Sequence, residues 1–350
     1  MKRALPRMKA VNLLKQKVMM LAAGLLGLGL AVFLIVHAGV SDILKLLAVA
    51  GWGLLWLLPL HLLPLSLDVL GWKWLLRGEA RVRFWFLLWV ALVREAANGL
   101  LPVARVGGEV LGVRLLTYYG VPGYVAGASV MVEVTLTLLS QFIFTLAGFV
   151  VLIFAVSDHH LQFQVVFFLA LILPLLMAFI WLQYRWGLFT VLQMLMKKLL
   201  GGKDLLALIG EPQRLDAEIR RLYARRWGLL PANVWQLSGL LAGTAEVWFT
   251  FWLLGHPLPF WAALLLESLG QALRSMAFLV PGGLGVQEGG FILFGSAIGV
   301  GPDLALAFSL TRRFRETLTG IPVLLSWQAL EGHHMHRQWR QIRSNREGIS

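Results

Sequence analysis

NGLLPVARVGGE (residues 98–109) and FLVPGGLGVQEGG (residues 278–290) each interrupt an otherwise apolar run, the first near 84–120 and the second near 260–301. The apolar runs are long enough to cross a bilayer, whose hydrocarbon core takes about 20 helical residues. Glycine and proline in mid-run break the helical backbone. At membrane depth, freed N–H and C=O groups are tolerated only where protein buries them or a wet cavity receives them. Both runs are therefore expected to be re-entrant helical hairpins, with Pro102, Gly107 and Gly108 in one break and Pro281, Gly282, Gly283 and Gly285 in the other.

The rest of the chain supports a membrane setting. Of 350 residues, 58% are hydrophobic and 14% charged, where a soluble chain carries about 25% charged residues; the mean hydropathy is +0.75. Apolar runs predict full spans near 18–37, 46–76, 123–156, 163–183, 229–254 and 303–327. The fold class expected is an all-α integral membrane protein of about six full spans and two hairpins, a single transmembrane domain over 1–350. The first span follows Lys2, Arg3, Arg7, Lys9, Lys15 and Lys17. It is longer than a signal-peptide core and has no clean cleavage site, so it is expected to be retained.

Net charge of +13 would point to nucleic acid in a soluble chain. Here the positive charge gathers in the N-terminal tail, the 77–83 loop, the 184–228 loop and the 332–350 tail. HAGVSD (37–42), SDHHLQ (157–162) and GHPLP (255–259) contain no Lys or Arg. That asymmetry places both termini in the cytoplasm. The 184–228 loop carries Arg220, Arg221, Arg225 and Arg226 among apolar residues at helical spacing, and is read either as an amphipathic segment on anionic inner-leaflet lipids or as a solvated loop.

Sliding the chain by 179 residues brings Pro102 onto Pro281, Glu109 onto Glu288, Gly120-Val121 onto Gly299-Val300, and Ala126 and Ala128 onto Ala305 and Ala307. Each copy, about 84–156 and 260–327, has an aromatic start, a Pro-Gly break, a Glu, a Gly-Val turn and a long span. With the span count above, the two hairpins open from opposite sides, as in an inverted repeat.

The last span places SLTRRFRETLTG (309–320) near mid-bilayer. Each Arg there costs roughly 2.5–3.5 kcal/mol on insertion scales, so the stretch must face protein, water or an anionic partner. Arg312 and Glu316 are four apart and can pair, which leaves Arg313 and Arg315 without a partner on that helix. Glu133 is the repeat equivalent of Arg312, and the two are expected to meet. Arg94, Glu95, Asn98, Glu246, Glu267 and Arg274 add further charge within apolar runs. Together they predict a polar cavity, basic at Arg312, Arg313 and Arg315, suited to an anionic or polar headgroup. Glu109 and Glu288 each follow a break; capping the half-helix, sensing protons or holding a cationic headgroup all remain open.

These motifs resemble the flippase-like family of the lysylphosphatidylglycerol synthase transmembrane region over roughly 15–330: NGLLPVARVGGE followed by RLL (114–116), and PGGLGVQEGG followed by a long span with an Arg. LLPVARVGGEVLGVRLL (100–116) and MVEVTLTLLSQFIFTLAGF (131–149) are most similar to the branch associated with hopanoid biosynthesis. The family's first motif is closer to Gly-Gly-acid-x-x-Arg; this chain has Gly112 at the last position and its Arg at Arg114. The resemblance implies a bacterial inner-membrane protein handling aminoacylated phosphatidylglycerol, polyprenyl-linked lipid or hopanoid derivatives, with lipid-synthesis enzymes as possible neighbours. No stretch here could hold the soluble aminoacyl-transfer domain of the synthases, so an enzyme is not expected.

No cysteine is present, which excludes thiol chemistry. Asp158-His159-His160 and His333-His334-His336 suggest a metal, but adjacent helical histidines do not converge on one ion. No nucleotide loop is found; the glycines of GLLGLGLAVF (24–33) suit helix packing. No metal, cofactor or nucleic acid is expected. The function expected is a lipid translocase or carrier, with an integral membrane transferase or a scaffold for lipid-synthesis enzymes as alternatives. The headgroup site would comprise Arg312, Arg313, Arg315, Glu316, Glu133, Glu109, Glu288, Arg94, Asn98 and Arg114.

Overall fold

A computed structural model describes residues 45, 48–101, 107–155, 174, 212–276 and 285–347, and among these all regular structure is helical, with no strand. The expected spans near 18–37 and 163–183 fall outside the described residues, apart from Pro174. So do Pro102, Pro281, Gly282, Gly283 and Asp158 to His160.

A 3-10 turn at Gly51–Trp56 leads into α1 (Leu57–Leu75). There follow α2 (Phe84–Leu100), α3 (Gly107–Tyr118) and α4 (Gly123–Ala155). After them come α5 (Pro212–Ala224), α6 (Arg226–Leu253), α7 (Phe260–Met276), α8 (Val286–Ser296) and α9 (Pro302–Glu347). At about 1.5 Å per residue, α2 and α7 are about 26 Å long and α3 and α8 less than about 20 Å. None of the four spans a hydrocarbon core of about 30 Å alone. Two described stretches, Ala48–Leu75 and Gly123–Phe154, are long and apolar enough to cross. The last helix does not stop near 327 as the hydropathy predicts but continues to Glu347.

The breaks follow from local chemistry. Leu101 precedes Pro102, whose ring disfavours helical backbone in the residue before it; Leu101 is extended (φ −100°, ψ 148°), and α2 ends there. Gly120 and Gly299, matched by the 179-residue shift, both take positive φ (90° and 80°) between a short helix and the long one after it. That conformation is costly for residues with a Cβ.

Two apolar clusters flank the middle of the molecule. One gathers Val69, Trp72 and Leu75 of α1 with Leu87 and Val90 of α2, Leu115 of α3, Val125 of α4, Leu215, Ile219 and Leu222 of α5, and the middle of α9 at Val323 and Trp327. The other joins Val247 and Phe251 of α6, Leu266 of α7, Phe291 of α8 and the start of α9 at Leu304 and Phe308. Beside it Phe149 and Leu152 of α4 meet Leu265 and Leu269 of α7. Thus α4 runs from the first cluster to the second, and α9 runs the opposite way.

Helices α1 and α6 are also antiparallel: a Cβ on Gly71 would meet the Ala232 carbonyl, one on Gly239 would meet Asp68 and Pro64, and one on Gly53 would meet Leu253. The cross-packing is reciprocal: α2 lies along α9, and α7 along α4. Small residues allow both approaches. Gly320 faces Leu100 and Ala96, and Gly148 faces Ser268, the close backbone contact that glycine permits between membrane helices.

The segment 212–224 turns Leu215, Ile219 and Leu222 into the first cluster, so protein covers its apolar side. Arg221 and Arg225 at its end hold Glu79 of the α1–α2 loop at 3.0 and 2.9 Å. The molecule's outer surface exposes Trp52, Trp85, Phe154, Leu230 and Leu325, an apolar periphery that suits hydrocarbon.

Candidate functional site

Between the two clusters lies a cavity of about 480 Å³, walled by every described helix except α5. Its lining contains Asp68, Glu95, Glu109, Glu133, Glu246, Glu267 and Glu316 against Arg94, Arg274, Arg312 and Arg315, with His61 as the one imidazole. Seven carboxyl groups face four guanidinium groups, so the cavity is acidic by formal charge. This corrects the expectation of a basic site.

Each Arg of the TRRFRE stretch takes an acid from another helix. Arg312 donates to Glu267 of α7 at 2.7 and 3.4 Å, and Arg274 and Gln271 lie 3.5 and 2.8 Å from the same carboxylate. Arg315 pairs with Glu246 of α6. Arg313 turns away from the cavity toward Glu288 at 3.4 Å. Arg313 and Arg315 are therefore both neutralised. Glu316 lies 3.9 Å from each of them and does not take Arg312 as its partner. In a membrane interior these pairs offset part of a large desolvation cost, and removing one partner strands the other.

Glu133 and Arg312 do not pair with each other. Arg94 of α2 donates to Glu133 of α4 at 2.7 Å and also to Glu109 of α3. Two ion pairs thus each join a helix beside a break to a long helix, with the charges exchanged: Arg94 of α2 with Glu133 of α4, and Glu267 of α7 with Arg312 of α9.

Glu109 and Glu288, matched by the 179-residue shift, have different surroundings. Glu288 is buried; it accepts the Gly285 N–H at 2.7 Å, capping α8 at a backbone of φ 76°, and it accepts the Ser309 hydroxyl at 3.2 Å. It belongs to the fold and does not line the cavity. In the first hairpin Asn98 takes over the capping, accepting the Gly108 N–H at 2.9 Å. That leaves Glu109 to bind Arg94 and line the cavity. Gly108 itself is required by closeness, since a Cβ there would lie 2.5 Å from the Arg94 carbonyl.

Arg114 is also outside the cavity. It pairs with Glu331 in the second half of α9 and donates to Tyr118 at 2.6 Å. The departure of the first motif at Gly112 has a structural counterpart. A Cβ at Gly112 would lie 2.7 Å from Cδ of Arg94, so the α2 arginine fills the space that a longer side chain on α3 would need.

Two ionisable cavity residues escape sequence reasoning. Asp68 sits on α1 against Gly239. His61 sits on the same helix with Nδ1 3.1 Å from Glu246 and Nε2 3.0 Å from both oxygens of Glu95. The available signal is that both are ionisable residues in an apolar run, one helical turn either side of Pro64.

The sequence model of the lysylphosphatidylglycerol synthase TM region matches residues 20–323. The chain belongs to that family. It is therefore a membrane protein of a family with a lipid-related role, in keeping with its all-helical fold and apolar periphery. No curated protein and no solved structure shows significant similarity to the family member described here.

Proposed function

We propose that this protein moves a polar lipid headgroup through the bilayer, as a translocase or carrier, with the acidic cavity as the headgroup site. The observation that carries the reading is a cavity of about 480 Å³ lined by ionisable groups from helices of both halves. That volume lies in the range of small-ligand sites, roughly 300–1,000 Å³, and suits a headgroup with its acyl chains left in lipid. The guanidinium groups already have carboxylate partners, and carboxyls are in excess. A headgroup carrying an ammonium therefore complements the cavity better than a purely anionic one. The family name points in the same direction, because a lysyl ester brings positive charge to phosphatidylglycerol. A hopanoid derivative with an amine-bearing polar end would satisfy the same chemistry.

The halves are read as an inverted repeat, with α2–α3 and α7–α8 as re-entrant hairpins gating the cavity from opposite faces. The opposed directions of α4 and α9, the antiparallel α1–α6 pair and the exchanged ion pairs all support this. The family resemblance supports a bacterial inner membrane, and the Lys/Arg asymmetry supports placing the basic α1–α2 loop and both termini in the cytoplasm. Catalysis by this chain is not part of the reading, nor are a cofactor or partner enzymes required.

Two measurements test it. Native mass spectrometry of gently solubilised protein, wild type beside Glu109→Gln, should show one lipid class retained by the wild type and lost by the variant. In proteoliposomes, fluorescent phosphatidylethanolamine should cross faster than fluorescent phosphatidylglycerol. Faster crossing of phosphatidylglycerol would reject the acidic-site reading, and group transfer onto lipid from a soluble donor would favour a transferase.

A further inference from the structure

We infer that His61, Glu95 and Glu246 form a proton-binding site in the cavity wall, and that the proton bound there is coupled to lipid movement. The first half of this inference stands on geometry; the second rests on the translocation reading above.

Both ring nitrogens of His61 face carboxylate oxygens, Nδ1 at 3.1 Å from Glu246 and Nε2 at 3.0 Å from Glu95. An ionised carboxylate only accepts hydrogen bonds, and a neutral imidazole has one N–H to give. A neutral ring would therefore turn a lone pair on one of the two acids. Only an imidazolium donates to both. Four helices build the site: His61 lies on α1, Glu95 on α2, Glu246 on α6, and Arg315 on α9 pairs with Glu246. With the ring protonated, two carboxylates face two cations and the group is neutral. With the ring neutral, one negative charge is left uncompensated inside the protein.

The surroundings define which end is wet. His61 and Glu246 are buried, whereas the Glu95 side chain is 40% exposed toward the cavity. Asp68 on α1 and Glu133 on α4 also line the cavity, as do Arg94 on α2, Arg274 on α7 and Arg312 on α9. Glu267 is taken by Arg312 and Arg274, and Glu316 lies against Arg315. A proton from cavity water reaches a Glu95 oxygen. It passes to Nε2 of His61 as the O–H bond breaks and an N–H bond forms, while Nδ1–H stays donated to Glu246. Loss of the proton leaves Glu95 and Glu246 facing a neutral ring. The tie between α2 and the α1–α6 pair then weakens toward Leu100, the end of α2 that leads into the first break. An ammonium headgroup arriving in the cavity restores the missing charge. Headgroup and proton therefore compete for one deficit, which is the linkage that exchange of one for the other requires.

The test uses full-length protein in phosphatidylcholine–phosphatidylglycerol vesicles carrying fluorescent phosphatidylethanolamine. With one proton exchanged per lipid, a tenfold proton gradient supports up to about a tenfold lipid asymmetry between leaflets. The wild type should build an asymmetry that follows the gradient. His61→Gln and Glu95→Gln, whatever their rates without a gradient, should not. Nitrogen-15 histidine NMR near pH 7, around which histidine charge is set by its surroundings, should show one imidazolium bonded at both nitrogens and absent from His61→Gln. Should His61→Gln fail to fold, Glu95→Gln carries the same test, because its wet side chain is tolerant of the change. Lipid movement in the wild type that ignores the gradient overturns the coupling, and a neutral His61 ring overturns the site. An imidazolium in a protein that moves no lipid upholds the site and rejects the translocation reading instead.

Discussion

The Arg312–Glu267 pair offers a quantitative check on how the cavity is held together. The two side chains are 9% and 2% exposed and meet at 2.7 Å. Breaking a buried pair from one side costs about 3–5 kcal/mol, because the remaining charge stays buried. The two single variants are not equivalent. Arg312→Met leaves Glu267 with Gln271 at 2.8 Å and Arg274 at 3.5 Å, so its cost should fall at the lower end of that range. The methionine also keeps dispersion contact with Phe291 and Phe308, over which the guanidinium sits. Glu267→Gln leaves Arg312 and Arg274 together without their carboxylate and should reach the upper end. The double variant strands neither member of the pair and should lose less than the two singles combined, by about 2 kcal/mol or more. Reversible unfolding of the four proteins in the same detergent micelle measures this. Costs that add to within about 0.5 kcal/mol would mean that the two residues act independently, and the reasoning would be refuted.

Further expectations follow from the same geometry. Gly112→Ala should destabilise by about 1–3 kcal/mol by pushing Arg94 from Glu109 and Glu133. In an Arg94→Ala background the same change should cost much less, as a double-mutant cycle would show. Arg114→Ala, at a side chain 43% exposed, should cost about 1 kcal/mol or less and leave vesicle lipid movement intact. Arg315→Ala should abolish that movement, and equal effects of the two variants would contradict the boundary drawn around the cavity. Single cysteines at positions 107 and 286 should react with impermeant reagents from opposite sides of the membrane; labelling from one side would reject the inverted arrangement.

The sequence alone determined the membrane setting, the helical class, the positions of the two breaks and the presence of intramembrane charge. Each of these has a cause that acts within one segment. Span length is set by the bilayer, Leu101 is extended by Pro102, Gly120 and Gly299 supply the turn before each long helix, and the cost of an Arg in hydrocarbon is borne by the helix that carries it. Tertiary structure alone decided which charges neutralise which, and therefore the sign of the cavity. The i to i+4 rule sees partners on one helix and so paired Arg312 with Glu316; the acids that bind Arg312 and Arg315 come from 45 and 69 residues away. Glu109 and Glu288 are indistinguishable in the sequence match, yet Asn98 frees one for the cavity while the other caps its own helix. His61 shows the same limit most clearly: a lone histidine in an apolar run becomes a bridge only when α2 and α6 bring Glu95 and Glu246 to its two nitrogens.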